Sequence, residues 1–325
     1  RNPTDLIFFV KYLVLCKKCI KDAQQYAPEF LDIIIQKNFK CIKNILTPNN
    51  QIPLFNGGKE NNLEDFTKIF DGFDNKSKDK KNIIGGIHTF TNKNNALFFE
   101  AGEPPKKSFS RSYQSGPLSF EYYLDGKKII TNCGFGSNIS PKAELLSRLT
   151  SAQSTLTLND TSVTRFERNK LINKVFGNSI KNTFRVNNFD FVENKNQIKF
   201  IASHNGYEKK FGCIHTRELS VDKLDGKLKG FDEIKKRKDG KPLNYNLRFH
   251  LYPGLTAVKT MSGNSVLIQI NKNKSLIFTI KDELILLEKS IFLGGNKILD
   301  NTCITISGNL VNKDKAIHWE LTKSI

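Results

Sequence analysis

From Ile83 to Ile325 the chain runs in short stretches of alternating apolar and polar residues, punctuated by Gly, Asn and Asp. The clearest stretch is Leu118 to Leu124. Leu118, Phe120, Tyr122 and Leu124 alternate with Ser119, Glu121 and Tyr123, which is the period of a strand. Asp125-Gly126 then supplies a two-residue turn that tolerates positive φ. Ile129, Thr131 and Cys133 carry the return strand, and Gly134 and Gly136 end it. Thr155 to Asn159 reads as a third short strand. Val266 to Ile270, Leu276 to Ile280, Leu284 to Leu287, Cys303 to Ile306 and Ile317 to Leu321 continue the series. Many short strands with close turns predict a β-sandwich. Pro141 to Arg148 reads as a short helical insertion.

The first fifty residues have a different period. Asn2-Pro3-Thr4-Asp5 opens a helix, with proline at the entry and an acid in the first turn. It is expected to run to about Tyr26. A second helix begins at Pro28, with Phe30, Leu31, Ile34, Ile35, Phe39, Ile42 and Leu46 spaced for one buried face. Thr47-Pro48-Asn49-Asn50 stops it. The two make an antiparallel hairpin too apolar to stand alone. Asp71 to Lys81 is polar and charged and reads as a linker.

Composition changes this picture little. The 325 residues suffice for two domains, and 38% hydrophobic with 26% charged residues is typical of a globular chain. The net charge of +19 favours an acidic partner, although the lysines are dispersed except at Lys76 to Lys81 and Lys235 to Lys241. Six cysteines form no compact disulfide framework, and Cys16-Lys-Lys-Cys19 lies in a helical run rather than a redox context. Leu6 to Cys16 is apolar but too short to span a membrane. The chain opens at Arg1 without a methionine or signal pattern, so a fragment or processed chain is expected.

Several segments together resemble the heparinase II/III-like polysaccharide lyases. Gln114-Ser-Gly-Pro-Leu-Ser-Phe-Glu121 resembles that family's His-Ala-(Asp/Gly)-x-Leu-Ser-Phe-Glu motif. Asn132-Cys133-Gly134 resembles its strand ending in Asp or Asn before Cys/Pro-Gly, and Gln153-Ser154-Thr155-Leu156 a later His-(Asn/Ser)-Thr-(Leu/Val) strand. Arg1-Asn2-Pro3 and Leu54-Phe55-Asn56-Gly57-Gly58 resemble segments at the end of its α/α toroid. The resemblance implies an α+β chain: a C-terminal antiparallel β-sandwich preceded by a few helices from the end of an α/α toroid. Residues 1–70 would close the helical domain, 71–82 link, and 83–325 form the sandwich, with most of the toroid upstream of Arg1. It also implies a bacterial enzyme of the periplasm or cell envelope that cleaves uronate-containing polysaccharide by β-elimination. Many members hold zinc at the motif's two histidines and acid. Here those positions are Gln114, Asn132 and Gln153, and neutral amides do not replace an ion's hydration, so no metal or other cofactor is expected. The amides are expected to hydrogen-bond one another instead.

His204 and Tyr207, in the sequence His204-Asn205-Gly206-Tyr207, read as a turn presenting two polar groups to a cleft, and are the candidate catalytic residues of this chain. The family's principal Tyr, His and Asn/Gln would lie in the toroid, so this chain alone is expected to turn over poorly. Tyr113, Gln114, Asn132, Gln153 and Asn56 are the candidates for substrate contact. His215 and Arg217 alternate with Ile214 and Thr216 and read as a solvated strand face. His250, between Phe249 and Leu251, reads as structural. The expected partner is an acidic polysaccharide. Two other classes are a glycan-binding or envelope-structural protein that kept the sandwich, and a nucleic-acid binder with steeply salt-dependent affinity. The nucleic-acid reading ranks last because the basic residues lack interleaved aromatics.

Overall fold

A computed structural model describes residues 2–47, 49–60, 83–169, 171–173, 177–238, 240–311 and 314–324. The linker reading of 71–82 and the end of the helical segment at 61–70 lie outside the described residues.

Helix α1 (Pro3–Asp22) starts where the sequence predicts, because Asn2 Oδ1 accepts from the Thr4 and Asp5 amides at 3.0 and 3.3 Å. It ends four residues before Tyr26. Helix α2 (Glu29–Ile45) follows Pro28. Ile7 and Val10 of α1 pack on Ile35, Phe39 and Ile42 of α2, and Lys17 pairs with Asp32 across the hairpin. The opposite faces leave Phe8, Phe9, Tyr12, Phe30 and Ile33 exposed.

The strands in chain order begin with β1 (Ile83–Ile84), β2 (Ile87–Thr91), β3 (Ala96–Glu100), β4 (Phe120–Leu124), β5 (Lys127–Thr131) and β6 (Leu156–Leu158). Next come β7 (Val186–Glu193), β8 (Gln197–His204), β9 (Cys213–Asp222), β10 (Leu228–Lys236), β11 (Leu243–Leu251) and β12 (Thr256–Lys259). The last are β13 (Ser265–Asn271), β14 (Lys274–Ile280), β15 (Ile285–Phe292), β16 (Leu299–Leu310) and β17 (Lys315–Lys323). Helix α3 (Pro141–Ser147) is the predicted insertion, and α4 (Glu208–Phe211) is a single turn between β8 and β9. Among the described residues the strands form two antiparallel sheets. The first has the order β1-β2-β3-β4-β5-β11-β16-β15, with β6 also pairing β11. The second has the order β12-β13-β14-β17-β10-β9-β8-β7.

Alternation sets which residues fill the space between the sheets. In β8 the inward residues are Ile198, Phe200 and Ala202; in β10 they are Leu228, Gly230, Asp232 and Ile234. Strands β3 and β4 do not alternate in burial, because both of their faces are covered. Leu97, Phe99, Phe120 and Tyr122 join the inner core, while Ala96, Phe98 and Tyr123 meet Ile45 and Phe55 of the helical segment. The helical hairpin is thereby docked on the outer face of the first sheet. The single tryptophan, Trp319, fills the centre, stacked on Phe120 and Phe278 with ring centroids 5.7 Å away in each case. Gly230 makes that possible: a Cβ there would sit 2.0 Å from the indole. Gly230→Ala is expected to lose about 1–3 kcal/mol by overpacking and to shift the tryptophan emission, read by denaturant titration and fluorescence.

Candidate active-site cleft

A cavity of about 450 Å³ lies between the start of α1 and the segment 105–113. Asp5 and Phe9 line the helical side, and Phe109, Ser112 and Tyr113 the sandwich side, with Asn56 at the junction. Two of the five predicted contact residues, Asn56 and Tyr113, therefore reach it. The cleft is closed behind by a turn at Asn56-Gly57, both with positive φ. Gly57 is required because a Cβ would approach Ser112 Cβ to 2.7 Å and Asn2 Nδ2 to 2.8 Å. Asn56 is itself a brace. Its Nδ2 donates to Glu100 Oε2 at 2.9 Å and its Oδ1 accepts from the Gln114 amide at 3.2 Å.

Beneath the 110–113 turn lies Arg148, fully buried. Its Nε donates to the Tyr113 carbonyl at 2.8 Å and its Nη2 to the Ser110 carbonyl at 2.7 Å, while the ring of Phe166 lies 4.1 Å away. Both acceptors are carbonyls, and Nη1 has no hydrogen-bond partner. Burial pulls its pKa down to about 10, still well above neutrality. A guanidinium charge is thus held under the cleft floor, where low polarity screens it weakly.

The three amides sit behind the cleft, and each is tied to backbone rather than to another amide, unlike the sequence expectation. Gln114 Oε1 accepts from the Gly57 amide at 3.1 Å, and its Nε2 donates to the Gly134 and Ser147 carbonyls at 2.9 Å. Gln153 Nε2 donates to the same Ser147 carbonyl at 2.8 Å. Asn132 Oδ1 accepts from the Ser154 amide at 2.9 Å. A neutral amide oxygen already accepting an N–H is a poor metal ligand, and these positions do not fit a zinc ion. No group of three or more His, Cys, Asp or Glu among the described residues is placed to hold a metal.

His204 and Tyr207 are not presented to a cleft. His204 is the last residue of β8, fully buried, and Tyr207 is 1% exposed. The Gly206 amide donates to His204 Nδ1 at 3.1 Å, and Tyr207 Oη donates to the Leu156 and Thr161 carbonyls at 3.0 and 3.1 Å. Burial drives His204 well below and Tyr207 well above their ordinary pKa values. The solvated-face reading of His215 and Arg217 is corrected as well: both are 0% exposed. Across the β9–β10 register Arg217 pairs with Asp232, whose carboxylate takes Arg217 Nε and His215 Nε2, each at 2.7 Å. His215 Nδ1 lies 3.3 Å from His204 Nε2. The Asp232 carboxylate that holds His215 and Arg217 in the interior lies on the next strand, beyond any local signal. Sequence reasoning also missed Arg148, whose only local signal is a charge at the end of a short amphipathic helix.

Comparison with known proteins adds the family. The family described as heparinase II/III-like, C-terminal matches residues 79–320. No curated protein matches the chain. Among solved structures, heparan sulfate lyase HepC from Pedobacter heparinus is 14% identical, with a TM-score of 0.75 over 99% of this chain and 52% of that one. A structure of heparinase III is 13% identical, with a TM-score of 0.74 over 99% of this chain and 53% of that one. The chain spans about half the length of these structures. At such identity they establish the shared fold: a few helices leading into a two-sheet sandwich. With three quarters of its length inside the family match, the chain belongs to the heparinase II/III-like family and contains its C-terminal domain.

Proposed function

We propose that this chain is the sandwich half of a polysaccharide lyase that cleaves uronate-containing polysaccharide by β-elimination. In that reading residues 1–70 close an α/α toroid whose remainder precedes Arg1. The observation that carries it is the cleft at the helix–sandwich junction, underlain by the buried charge of Arg148. β-Elimination needs the substrate carboxylate neutralised, a base to take the proton from the adjacent carbon, and an acid for the departing oxygen. The cleft suits the first need: a weakly screened cation lies under Ser112 and Tyr113, and Arg111 and Lys59 lie on the flanking segments. His204 and Tyr207, enclosed in the core, serve the fold, and the proton-transfer groups come from the toroid. HepC is a heparan sulfate lyase, which makes glycosaminoglycans the first substrates to try. The periplasm or cell envelope is the proposed location.

The test compares this chain with one extended upstream through the toroid, on a panel of uronate polysaccharides. Near-ultraviolet absorbance of the unsaturated uronate product is expected from the longer chain alone. Glycan binding without product from either would replace the lyase by a binding protein, a reading the amides at the zinc positions favour. The proposal also includes a metal-free sandwich. Overnight chelation is expected to move the melting temperature of this chain by less than about 1 °C, whereas loss of a structural metal would remove several kcal/mol.

A further inference from the structure

The second sheet presents an outward face on the side of the sandwich away from the helices. In β10 that face carries Lys229, Phe231 and Glu233, since the alternate residues fill the interior. The strand register sets one row across it. Ser220 of β9 pairs with Lys229, Lys229 with Glu320 of β17, and Glu320 with Thr279 of β14. Lys199 of β8 extends the row beyond Ser220. With strands about 4.8 Å apart, the row spans roughly 19 Å. Two depressions of about 510 and 500 Å³ open along it and share Lys229. The short side chain of Ser220 lines the first and that of Thr279 the second. One flank of the row is aromatic: Phe231 and His318 are cross-strand partners with ring centroids 4.7 Å apart. On the other flank the turn from Asn194 to Gln197 brings Lys195 to the rim.

The charges on this groove are mixed. Lys195, Lys227, Lys229 and Lys281 face Asp222, Asp282 and Glu320. Lys227 and Glu320 neutralise each other at 2.8 Å, as Lys199 and Glu218 do beside them at 2.6 Å. Asp222 Oδ1 accepts from the Leu224 and Asp225 amides at 2.8 and 3.4 Å, so that carboxylate is engaged by its own turn. Among the described residues Lys195, Lys229 and Lys281 form no ion pair. A polymer with a charge on every unit would meet repulsion from the acids of the lining. A neutral one would leave three ammonium groups unused. Sugar hydroxyls both donate and accept, which matches a lining of ammonium, amide, hydroxyl and carboxylate groups. The apolar face of a pyranose ring matches the aromatic flank.

We propose that this groove is a second glycan-binding site, and that it holds a linear, unsulfated polysaccharide in which uronate alternates with a neutral sugar. Lys229, at the junction of the two depressions, takes a carboxylate. Lys195 and Lys281, toward the two ends, take the carboxylates that follow along the chain. The Phe231–His318 pair lies against the face of a neutral sugar between them. The row is long enough for several rings in line and open at the surface, so a polymer can lie in it without an end. The site does not depend on the lyase reading. It lies on the opposite side of the sandwich from the cleft, so one polysaccharide molecule held here leaves the cleft free.

The test titrates this chain with a hyaluronan hexasaccharide by calorimetry, beside the variants Lys229→Gln and His318→Ala. Both side chains are exposed, so the melting temperature should hold in each variant. Each variant is expected to weaken binding at least about fivefold, since a charge-assisted hydrogen bond or a ring contact is lost. Phe109→Ala, at the cleft, is expected to change nothing. A loss in Phe109→Ala with none in Lys229→Gln would put the sugar in the cleft, overturning the groove and leaving the lyase reading intact. Absence of binding at millimolar hexasaccharide overturns the groove as well. Two further probes test the charge. Equal affinity for neutral cellohexaose would remove the role of the lysines and overturn the proposal. So would tighter binding of a heparin hexasaccharide that falls steeply with salt, the mark of a general polyanion surface.

Discussion

Replacing Arg217 by methionine is expected to cost about 3–5 kcal/mol of folding stability, enough to unfold a large fraction of a marginal domain. The guanidinium sits between the two sheets and binds both. Nε and Nη2 donate to the two oxygens of Asp232 at 2.7 and 3.3 Å, within the second sheet. Nη1 donates at 2.8 Å to the Leu118 and Ser154 carbonyls, which flank strands of the first. Asp232 has two further donors, His215 Nε2 at 2.7 Å and Trp319 Nε1 at 2.9 Å. Burial opposes the Asp232 charge, but Arg217 and His215 overcome it and hold the carboxyl down to about 2. Without the guanidinium, a carboxylate with no solvent must either take a proton or draw one onto His215. Leu118 would also lose its restraint. It holds a positive φ of 58°, unusual for a branched residue, and its carbonyl is one of the two that Arg217 fixes. Urea denaturation of the single variant reads the loss. The double variant Arg217→Met with Asp232→Leu is expected to recover part of it, since it removes the uncompensated charge. A single-variant loss below about 1 kcal/mol would mean that the sheets do not depend on this network.

Arg217 also shows where sequence reading reaches its limit. The period of two correctly puts His215 and Arg217 on one face of a strand and Ile214 and Thr216 on the other. It assigns the wrong face to the interior, because a charged face is inward only when its partner is known. That partner, Asp232, is set by the β9–β10 register and by the space that Gly230 leaves for Trp319. Local chemistry was legible where it was sufficient. Asp125-Gly126 makes its turn with φ of 49° and 72°, and Asn2 caps α1. The amide positions were legible as a motif, yet their bonding was not, because the Ser147 carbonyl that Gln114 and Gln153 share comes from the end of α3. The cleft was legible only through Asn56 and Tyr113. Its floor depends on Arg148, whose contacts are with backbone 35 and 38 residues away.

Stability is expected to fall steeply as the pH drops from 7 toward 5, well before carboxylates protonate. His204 and His215 are fully buried and His88 is 5% exposed. Burial lowers all three. His88 is brought down to about 4, and beside desolvation His204 feels His215 and Arg217. In His215 burial and Arg217 outweigh the opposing pull of Asp232. The folded state therefore leaves these rings neutral where the unfolded chain, with an ordinary histidine pKa near ~6.5, binds protons. The stabilisation is complete above that value and is lost below it, at about 1.4 kcal/mol per pH unit for each ring, until the folded pKa is reached. His250 does not offset this: its folded pKa is raised, so between pH 6.5 and 5 it is protonated in both states. His88, held down to about 4, gives a loss of about 1.4 kcal/mol by pH 5.5, and His204 and His215 add to it in the same direction. Urea midpoints measured from pH 8 to 5 test it. His88→Phe isolates one share, because His88 stacks on Phe189 with centroids 3.7 Å apart and its Nδ1 has no hydrogen-bond partner. Phenylalanine keeps the stack, removes the orphaned nitrogen and should leave stability at pH 8 unchanged or higher. It should also flatten the acid slope by about 1.4 kcal/mol per pH unit below pH 6.5. A midpoint that does not move between pH 7.5 and 5.5 would show that these histidines take up protons in the folded sandwich, and that its interior is more open to water than their burial implies.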